Sequence, residues 1–452
     1  MSRATGELCL YGATAEESQQ HEAFTSGHVP VAIYGLGKMG LPLAAVYADV
    51  CGNVVGADVD PDVVRTVNDG GCHVKREPGL ADLVAETVEC GALRAVADPT
   101  EAAAAAAVHV LIVPTLLTDD GRPDLSIVEA VTEDVAAGLE PGDLVVVEST
   151  VPPRTCADVV RPVLAAESGL DPDEFGVAFC PERTASGRAL VDIRGAYPKI
   201  VGGVDGESTR AARLVYEEIN EQGVIPVADA TTAEAVKVFE GVYRDVNIAL
   251  ANELARFADE FGIDVREAID VANTQPFCDL HEPGPGVGGH CIPVYPHFLV
   301  GGFETAAPLM RTARAVNDRM PEYAVDVICE ALAREGREPD EATVAVFGLT
   351  YRPNVAELRN APALPIVRGL DRLGSEVLAV DPLVEAEEAA PATLVGQDEL
   401  DPDAVDVAVL VTPHDEFGAV DWNAFEVVVD GRAALDGDGL DATVYTIGDA
   451  LE

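Results

Sequence analysis

The stretch Val31-Ala-Ile-Tyr34-Gly35-Leu-Gly37-Lys-Met-Gly40 joins a short apolar strand to a glycine pattern, and the apolar residues 41–48 open a helix directly after it. A second apolar segment, residues 54–57, ends at Asp58. Strand, Gly-x-Gly-x-x-Gly, helix, strand and acidic residue follow one another in the order of a dinucleotide-binding βαβ unit. The stretch therefore predicts a Rossmann-like α/β domain at this end of the chain.

Each glycine of this turn has a distinct expected task. Gly35 makes the turn, Gly37 lets a pyrophosphate approach the helix N-terminus, and Gly40 lets the helix pack closely on the strand. Asp58 is expected to accept a hydrogen bond from a ribose hydroxyl, which favours NAD over NADP. The cofactor-binding candidates here are Gly35, Gly37, Lys38, Met39, Gly40 and Asp58.

The alternation of strands and helices continues through three more apolar segments, residues 108–115, 144–150 and 176–182. Continuous apolar strands separated by helices predict a parallel sheet that is covered on both faces. Ligands of such sheets bind at the carboxyl ends of the strands, where Thr115, Thr150 and Glu182 lie. A threonine at such a position is also a common helix cap or turn residue, so that alternative stays open.

Residues 231–262 contain no proline and read as one long helix whose apolar positions cover much of its circumference. We expect it to be buried between domains or between subunits. Lys237, Gly241, Arg244 and Asn247 fall near one face of this helix. A lysine on a buried helix suggests a function. The alternative is a surface lysine whose aliphatic part lies along the helix while its ammonium reaches solvent.

The loop of residues 281–293 contains four glycines and three prolines and ends near Cys291. It should be neither helix nor strand, because glycine permits unusual backbone angles and proline stiffens turns. Such a loop can surround a ligand with main-chain N–H groups and present Cys291 as a nucleophile. A surface loop with a structural cysteine is the alternative.

A second set of apolar strands, at residues 343–347, 376–381, 405–412 and 425–430, predicts a second and smaller parallel sheet with helical connections. The fold class is therefore α/β, with two Rossmann-like parallel-sheet domains joined by a long central helix. We expect a flexible extension at residues 1–29, an NAD-binding domain at 30–225, a central helical domain with the cysteine loop at 226–330, and a smaller α/β domain at 331–452.

The net charge and the apolar content of the sequence argue against nucleic acid and membrane as partners. The formal net charge is −50, and only four of the 29 basic residues are lysines. Such a surface disfavours nucleic acid, which requires a basic face, and it resembles the surface of a halophilic protein that needs salt to offset self-repulsion. No apolar run is long enough for a membrane span. Nine scattered cysteines without metal-ligand spacing or a signal-peptide pattern lead us to expect no metal site and a reducing cytoplasm.

Several phrases together resemble the UDP-sugar dehydrogenases, which oxidise an alcohol to an acid in two NAD-dependent steps. The resemblance covers residues 30 to about 445 and is closest to the UDP-N-acetyl-D-mannosamine dehydrogenase branch. The phrases are Gly-Leu-Gly-Lys-Met-Gly at 35–40, Glu-Ser-Thr-Val-Pro-Pro at 148–153, Cys-Pro-Glu-Arg at 180–183, Tyr-Arg-Asp-Val-Asn at 243–247, and the glycine-rich loop that ends at Cys291.

The resemblance implies a role for each matching residue. Cys291 would add to an aldehyde intermediate, Lys237 would exchange a proton with the reacting oxygen, and Glu182 and Thr150 would place water and substrate. Arg359 would reach NAD, and the long helix would build a homodimer. The residues that would contact the UDP-sugar are Arg183, Lys237, Arg244, Gly288, Tyr351 and Arg352.

Several positions depart from the family pattern, among them Arg352, where the family has lysine, and the segment Ala-Glu-Leu-Arg-Asn-Ala-Pro at 356–362, where it has Asp-Asp-Leu-Arg-Glu-Ser-Pro. Gly241 stands where the family has asparagine, Tyr295 where it has aspartate, and Gln275 and Phe277 where this branch has histidine and arginine. Loss of polar partners near a reacting centre removes transition-state stabilisation. Three hypotheses therefore stay open: an active enzyme of the mannosamine type, a dehydrogenase of another nucleotide sugar such as UDP-glucose, and a catalytically weak homologue that binds nucleotide sugar or NAD.

Overall fold

The computed structural model describes residues 9–450, and these form two compact units. The N-terminal unit comprises the chain up to Phe239 together with residues 297–303, and the C-terminal unit comprises residues 240–296 and the chain from Glu304 onward. The boundary in sequence falls within one long helix, α10 (Ala230–Ala255).

The N-terminal unit is built on an eight-stranded sheet with the strand order β10-β9-β8-β7-β4-β1-β2-β3. Every neighbouring pair is parallel except β8 and β9, which are antiparallel and so depart from the predicted all-parallel sheet. A separate two-residue pair, β5 with β6, forms a short hairpin. The strands are β1 (Val31–Tyr34), β2 (Val54–Ala57), β3 (Leu93–Val96), β4 (Val108–Leu111), β5 (Leu116–Leu117), β6 (Pro123–Asp124), β7 (Leu144–Val147), β8 (Gly176–Phe179), β9 (Lys199–Gly203) and β10 (Val224–Pro226).

Helices cover both faces of this sheet, and its central strands are therefore buried along their whole length. A short π-helical turn at residues 156–160 leads into α7. The helices are α1 (Glu17–Thr25), α2 (Gly40–Cys51), α3 (Pro61–Asn68), α4 (Leu80–Glu89), α5 (Pro99–Ala105), α6 (Ser126–Ala136), α7 (Arg161–Ser168), α8 (Ala189–Gly195) and α9 (Gly206–Ile219).

The prediction that the N-terminal extension is flexible is wrong for the residues that the structure describes there. Residues 17–25 form α1, and Leu10 and Phe24 are each only 1% exposed. Arg210 of α9 donates hydrogen bonds to the carbonyl oxygen of Leu10 and to the side chain of Gln20, so polar contacts reinforce this packing. The polar composition of the segment hid these few apolar residues, which are enough to bind it to the unit. Residues 1–8 lie outside the described part of the chain.

The long helix is shorter than predicted. α10 ends at Ala255, and the main-chain N–H groups of the next two residues bond only three residues back. This tighter turn lets Ala258 of α11 pack with Ala251 and with Val265 of α12. The remaining helices are α11 (Ala258–Phe261), α12 (Val265–Asn273), α13 (Tyr295–Val300), α14 (Pro308–Arg334) and α15 (Ala363–Leu373).

The C-terminal unit contains a six-stranded, fully parallel sheet with the order β13-β12-β11-β14-β15-β16. The predicted helical connections occur only before β12, as α15, whereas the later connections contain short 3₁₀ turns. There Phe417, Trp422 and Phe425 surround Phe347, so bulky aromatic residues cover this face without a regular helix. The strands are β11 (Thr343–Phe347), β12 (Glu376–Val380), β13 (Thr393–Leu394), β14 (Val407–Leu410), β15 (Val427–Asp430) and β16 (Thr443–Thr446).

No helix between residues 9 and 450 combines the length and apolar character that crossing a bilayer requires.

Candidate active site

The glycine turn of the N-terminal unit has the shape that a dinucleotide needs. Gly35 has φ +93°, and a Cβ atom there would lie 2.6 Å from the carbonyl oxygen of Ile112. A Cβ atom on Gly40, the first residue of α2, would overlap the carbonyl oxygen of Gly35. Gly37, by contrast, faces open space, since a Cβ atom there would meet nothing within 4 Å. The turn therefore leaves room for a pyrophosphate at the N-terminus of α2.

Asp58 at the end of β2 is bonded to the same turn. One carboxylate oxygen accepts the N–H of Leu36 at 2.8 Å, and the other accepts the N–H of Asp60 at 2.9 Å. These bonds fix the direction of the carboxylate and leave lone pairs for a ribose hydroxyl. His73, which the sequence analysis missed, also contacts the turn, with Nε2 2.9 Å from the carbonyl oxygen of Leu36. No pattern in the sequence distinguishes His73.

Thr115 and Thr150 are half-buried and follow the neighbouring strands β4 and β7, as predicted. Ser149 connects the two strand ends: its hydroxyl accepts the N–H of Val113 at 2.8 Å and donates to the carbonyl oxygen of Val113 at 2.9 Å. Ser149 was missed as a functional residue, although it immediately precedes Thr150 in the quoted phrase. It holds both threonine-bearing loops at one edge of the sheet.

Lys237 and Glu182 meet in the N-terminal unit. The Lys237 ammonium donates a hydrogen bond to the main-chain carbonyl of Glu182, and the Glu182 carboxylate accepts the N–H of Thr184. Lys237 is only 8% exposed, so the alternative of a surface lysine does not hold. A buried lysine beside a carboxylate-bearing loop is a suitable proton donor as the ammonium and a suitable proton acceptor as the free amine.

Arg183 makes contacts within its own unit. Its guanidinium donates to the carbonyl of Pro198 and stacks over the ring of Tyr197, with 4.7 Å from Cζ to the ring centroid. The Tyr197 hydroxyl in turn donates to the carbonyl of Arg183. Arg183 therefore orders the loop that contains Glu182, and its predicted contact with a sugar nucleotide stays a prediction.

Glu234 on α10 holds the loop that follows Thr150. Its two carboxylate oxygens accept the N–H groups of Arg154 and Cys156, at 2.5 and 2.8 Å. Arg154 has φ +82°, an unfavourable angle for a residue with a side chain, so these bonds hold a strained turn in place. Burial raises the pKa of Glu234 to about 7, although the two N–H donors oppose that shift.

In the C-terminal unit, the loop of residues 281–293 is irregular, as predicted, and α10 fixes its first half. Asn247 accepts the N–H of His281 at 2.8 Å, and Asn252 accepts the N–H of Gly284 at 2.9 Å. Arg266 of α12 donates to the carbonyl oxygen of Pro283 at 2.7 Å. Asn247 of the Tyr-Arg-Asp-Val-Asn phrase and Asn252, five residues further along α10, therefore position the first half of the loop.

The second half of this loop is held by the segment that follows β11. A Cβ atom on Gly288 would lie 2.6 Å from Cβ of Tyr351, and one on Gly289 would lie 2.7 Å from the Tyr351 ring. Gly289 also donates to the carbonyl oxygen of Arg359 and accepts from the side chain of Asn360, both at 2.9 Å. Only glycine fits at these two positions, and Cys291 follows them with an exposed side chain.

The unusual residues Gly241 and Tyr295 lie against each other. A Cβ atom on Gly241 would come within 3.0 Å of Cγ and 3.1 Å of Cβ of Tyr295, and closer still to Cδ2. Tyr295 is 7% exposed, and its N–H donates to the carbonyl oxygen of Cys291 at 2.9 Å. The two departures from the family pattern are therefore coupled: the glycine makes room for the ring, and the ring lies one helical turn beyond the cysteine.

The remaining predicted residues of the C-terminal unit lie at its surface. Arg244, Arg352 and Arg359 are exposed, and Phe277 is 93% exposed. Burial first, and then the positive charge of Arg244, lower the pKa of His281, which places that arginine near the start of the loop. Burial, followed by the charges of Glu357 and Cys291, raises the pKa of Tyr351.

A dinucleotide turn in one α/β unit, and an exposed cysteine on a rigid glycine-rich loop in the other, are features of an NAD-dependent dehydrogenase. Models of the UDP-glucose/GDP-mannose dehydrogenase family match the chain in three parts: the NAD binding domain at residues 29–220, the central domain at 231–319 and the UDP binding domain at 345–439. The chain belongs to this family, whose members are NAD-dependent nucleotide-sugar dehydrogenases.

Individual relatives are similar over nearly their full length. The chain is 37% identical to the UDP-N-acetyl-D-mannosamine dehydrogenase of Pyrococcus horikoshii over 89% of this chain and 95% of the relative. It is 39% identical to the NDP-N-acetyl-D-galactosaminuronic acid dehydrogenase of Ralstonia nicotianae over the same shares. The solved structure of the Pyrococcus horikoshii UDP-D-ManNAc dehydrogenase superposes with a TM-score of 0.85 and 34% identity, covering 93% of this chain and 99% of that one.

Proposed function

We propose that this protein oxidises the C6 alcohol of UDP-N-acetyl-D-mannosamine to the uronic acid. The observation that carries the proposal is the presentation of Cys291, which is exposed at the end of a loop that Asn252, Tyr351 and Asn360 hold rigidly. A four-electron oxidation of an alcohol needs such a nucleophile to retain the aldehyde between its two steps. The name of the Pyrococcus horikoshii relative supports this choice of sugar.

Each of the proposed catalytic residues has a separate role in the two oxidation steps. NAD would supply the hydride acceptor, with one NAD for the oxidation of the alcohol and a second NAD for the oxidation of the thiohemiacetal. As the free amine, Lys237 takes the proton that the alcohol oxygen loses. The Cys291 thiolate then adds to the aldehyde carbon, and Lys237 returns the proton to the resulting alkoxide to give the thiohemiacetal. Water then attacks the resulting thioester, releasing the carboxylate and restoring the thiol. Glu182 and Thr150 orient this water and the substrate.

We propose the contacts of the remaining residues with substrate and cofactor from the family resemblance. Arg244, Gly288, Tyr351 and Arg352 bind the UDP-sugar, and Arg183 supports the Glu182 loop that approaches it. The pyrophosphate of NAD binds at the glycine turn, Asp58 accepts from its ribose, and Thr115 and Arg359 complete the cofactor site. We place the reaction in the cytoplasm, which agrees with the nine scattered cysteines of the sequence.

The assembly we propose is a homodimer through the central helix. Tyr243 and Leu250 of α10 are 50% and 47% exposed, and Phe257 follows at the same seven-residue spacing with 38% exposure. Tyr243 and Leu250 lie on the C-terminal part of α10, and Phe257 lies two residues beyond its end, so these three residues form one apolar stripe. Such a stripe is suited to bury against the same stripe of a second copy.

The experiment compares NADH formation from UDP-N-acetyl-D-mannosamine by the wild type, Cys291→Ala and Cys90→Ala in high salt. Cys90 is also exposed and serves as the matched control. We expect two NADH per sugar from the wild type and from Cys90→Ala, and none beyond the first oxidation from Cys291→Ala. Turnover that is unchanged in Cys291→Ala would contradict the mechanism.

The nucleotide sugar is tested by parallel reactions with UDP-glucose and with an N-acetyl-D-galactosamine nucleotide. The name of the Ralstonia nicotianae relative favours the latter as the second candidate. Faster turnover of either alternative would overturn the mannosamine assignment while leaving the dehydrogenase mechanism intact. Binding of NAD without NADH from any of the three would support the catalytically weak homologue.

A further inference from the structure

A fully buried histidine–aspartate pair lies beneath the surface of the C-terminal unit. Asp381 follows β12 directly, and His414 lies four residues beyond the end of β14, on the two sides of β11. Neither side chain is exposed to solvent. Nε2 of His414 lies 3.1 Å from a carboxylate oxygen of Asp381 and 3.0 Å from the hydroxyl of Thr350.

The hydrogen bonds define the protonation of the ring. Nδ1 of His414 accepts the main-chain N–H of Asn354 at 2.9 Å. Because a main-chain N–H can only donate, Nδ1 carries no proton, and the ring proton must be on Nε2. That proton is donated toward Asp381 and Thr350. The same Asp381 oxygen also accepts the N–H groups of Leu349 and Thr350, at 2.7 and 3.1 Å.

Apart from the bond between His414 and Asp381, these bonds all involve one segment, residues 348–355, which we call the nucleotide loop because it contains Tyr351 and Arg352. Its backbone is unusual: Gly348 has φ +82° and Asn354 has φ +63°. An asparagine in this conformation is tolerated but not preferred, so outside bonds are needed to hold it. The N–H of Asn354 donates to the His414 ring, and the N–H groups of Leu349 and Thr350 at the start of the loop donate to Asp381.

The nucleotide loop also supports the loop that ends at Cys291. Tyr351 fills the space above Gly288 and Gly289, where no larger residue fits. A shift of the nucleotide loop would therefore move the backbone just before the cysteine. The buried pair thus lies at the base of a continuous series of contacts: His414 and Asp381, the nucleotide loop, the two glycines, and then Cys291.

We infer that His414 and Asp381 are positioning residues that set the affinity of this protein for the uridine diphosphate part of its substrate. They touch neither substrate nor cofactor in this role. They hold Tyr351 and Arg352 in the conformation that binds the nucleotide. The inference rests on the proposed function, since it takes the nucleotide loop as the binding segment.

Substitutions at His414 separate its two bonds. His414→Asn places an amide oxygen near the position of Nδ1 and keeps an acceptor for Asn354. His414→Gln keeps a donor near Asp381 but removes that acceptor. His414→Leu removes both and leaves buried polar groups without partners, which destabilises the loop conformation.

The experiment titrates UDP and NAD separately into the full-length wild type and the three variants by calorimetry in high salt. We expect His414→Leu to weaken UDP binding about tenfold, His414→Gln to weaken it severalfold and His414→Asn to stay within about threefold of the wild type, all with unchanged NAD affinity, since each lost buried hydrogen bond is worth roughly a factor of three. If His414→Leu does not fold, the comparison of the other two variants carries the test.

Three results would overturn the inference. One is unchanged UDP affinity in His414→Leu and His414→Gln, another is parallel loss of UDP and NAD affinity, and the third is equal loss in His414→Asn and His414→Gln. If the wild type forms NADH from a nucleotide sugar, these results refute the positioning role alone. A wild type that binds no UDP overturns the proposed function as well.

Discussion

Replacing Gly241 with alanine tests the packing that distinguishes this chain from its family's usual pattern. Elsewhere on a helix, the change should stabilise the protein by about 1 kcal/mol, because alanine is the better helix former. Here the new methyl group would lie within 3.0 Å of Cγ of Tyr295, whereas carbon atoms in contact are about 3.5–4.0 Å apart. The ring is 7% exposed and packs closely against its surroundings, so it must shift or strain the helix.

Overpacking of this kind costs roughly 1–3 kcal/mol, which exceeds the gain in helix propensity. We therefore expect Gly241→Ala to lower the free energy of unfolding by about 1–2 kcal/mol. Because the N–H of Tyr295 bonds to Cys291, the shift should also reduce the rate of NADH formation. Tyr295→Ala removes the obstacle, and in that background Gly241→Ala should become neutral or stabilising.

The assay is a double-mutant cycle of urea unfolding in high salt, with NADH formation measured on the same samples. Gly418→Ala is the matched control, since Gly418 lies in the same unit, has an ordinary backbone angle and faces open space. The cycle should give a coupling energy of about 2 kcal/mol between positions 241 and 295. Additive effects, or a Gly241→Ala variant as stable as the Gly418→Ala control, would refute the reasoning.

Three further predictions concern stability. Burial raises the pKa of Glu234 to about 7, so the stability this group provides is fully present below the pKa of an unfolded glutamate and is lost as the pH rises toward 7. Relative to Glu234→Gln, the wild type should lose up to about 3 kcal/mol of unfolding free energy between about pH 4.5 and pH 8, as measured by urea unfolding at each pH. If the unfolding free energies of the two proteins change in parallel with pH, this prediction is wrong. Raising KCl from about 0.1 to about 1 M shortens the electrostatic screening length from about 10 to about 3 Å. Because the net charge is −50, weaker self-repulsion should raise the melting temperature. A constant melting temperature would show that self-repulsion contributes little to the stability of this protein. Deleting residues 1–28 removes buried Leu10 and Phe24 and should cost about 3–6 kcal/mol in the N-terminal unit, whereas an unchanged melting curve would restore the interpretation of a flexible extension.

Local patterns were enough to predict the fold class. The strand, glycine turn and helix at residues 31–48 can be recognised from residues that are close in sequence. Each glycine there meets a backbone requirement of the turn itself. The irregular loop before Cys291 was equally evident, since four glycines and three prolines exclude helix and strand over any such length. The buried position of Lys237 also agreed with its place on an apolar helix.

Features that depend on distant residues were not predicted. α10 ends at Ala255 although helical residues continue, because packing of Ala258 against α12 favours a tighter turn there. The polar segment around Phe24 packs as a helix because Arg210 and other residues of α9 lie beside it. Ser149, Glu234 and His414 form no motif, and each acts through hydrogen bonds to main-chain groups far along the chain.

The sequence by itself determined the two α/β domains, the dinucleotide turn and the cysteine loop, because these depend on residue types at short and regular spacing. Only the tertiary structure showed that Gly241 and Tyr295 are one adaptation, since the two residues are 54 positions apart and the relation between them is the space that a missing Cβ leaves for a ring. Shape complementarity between distant residues has no signature in local composition, so it becomes visible only when the chain is folded.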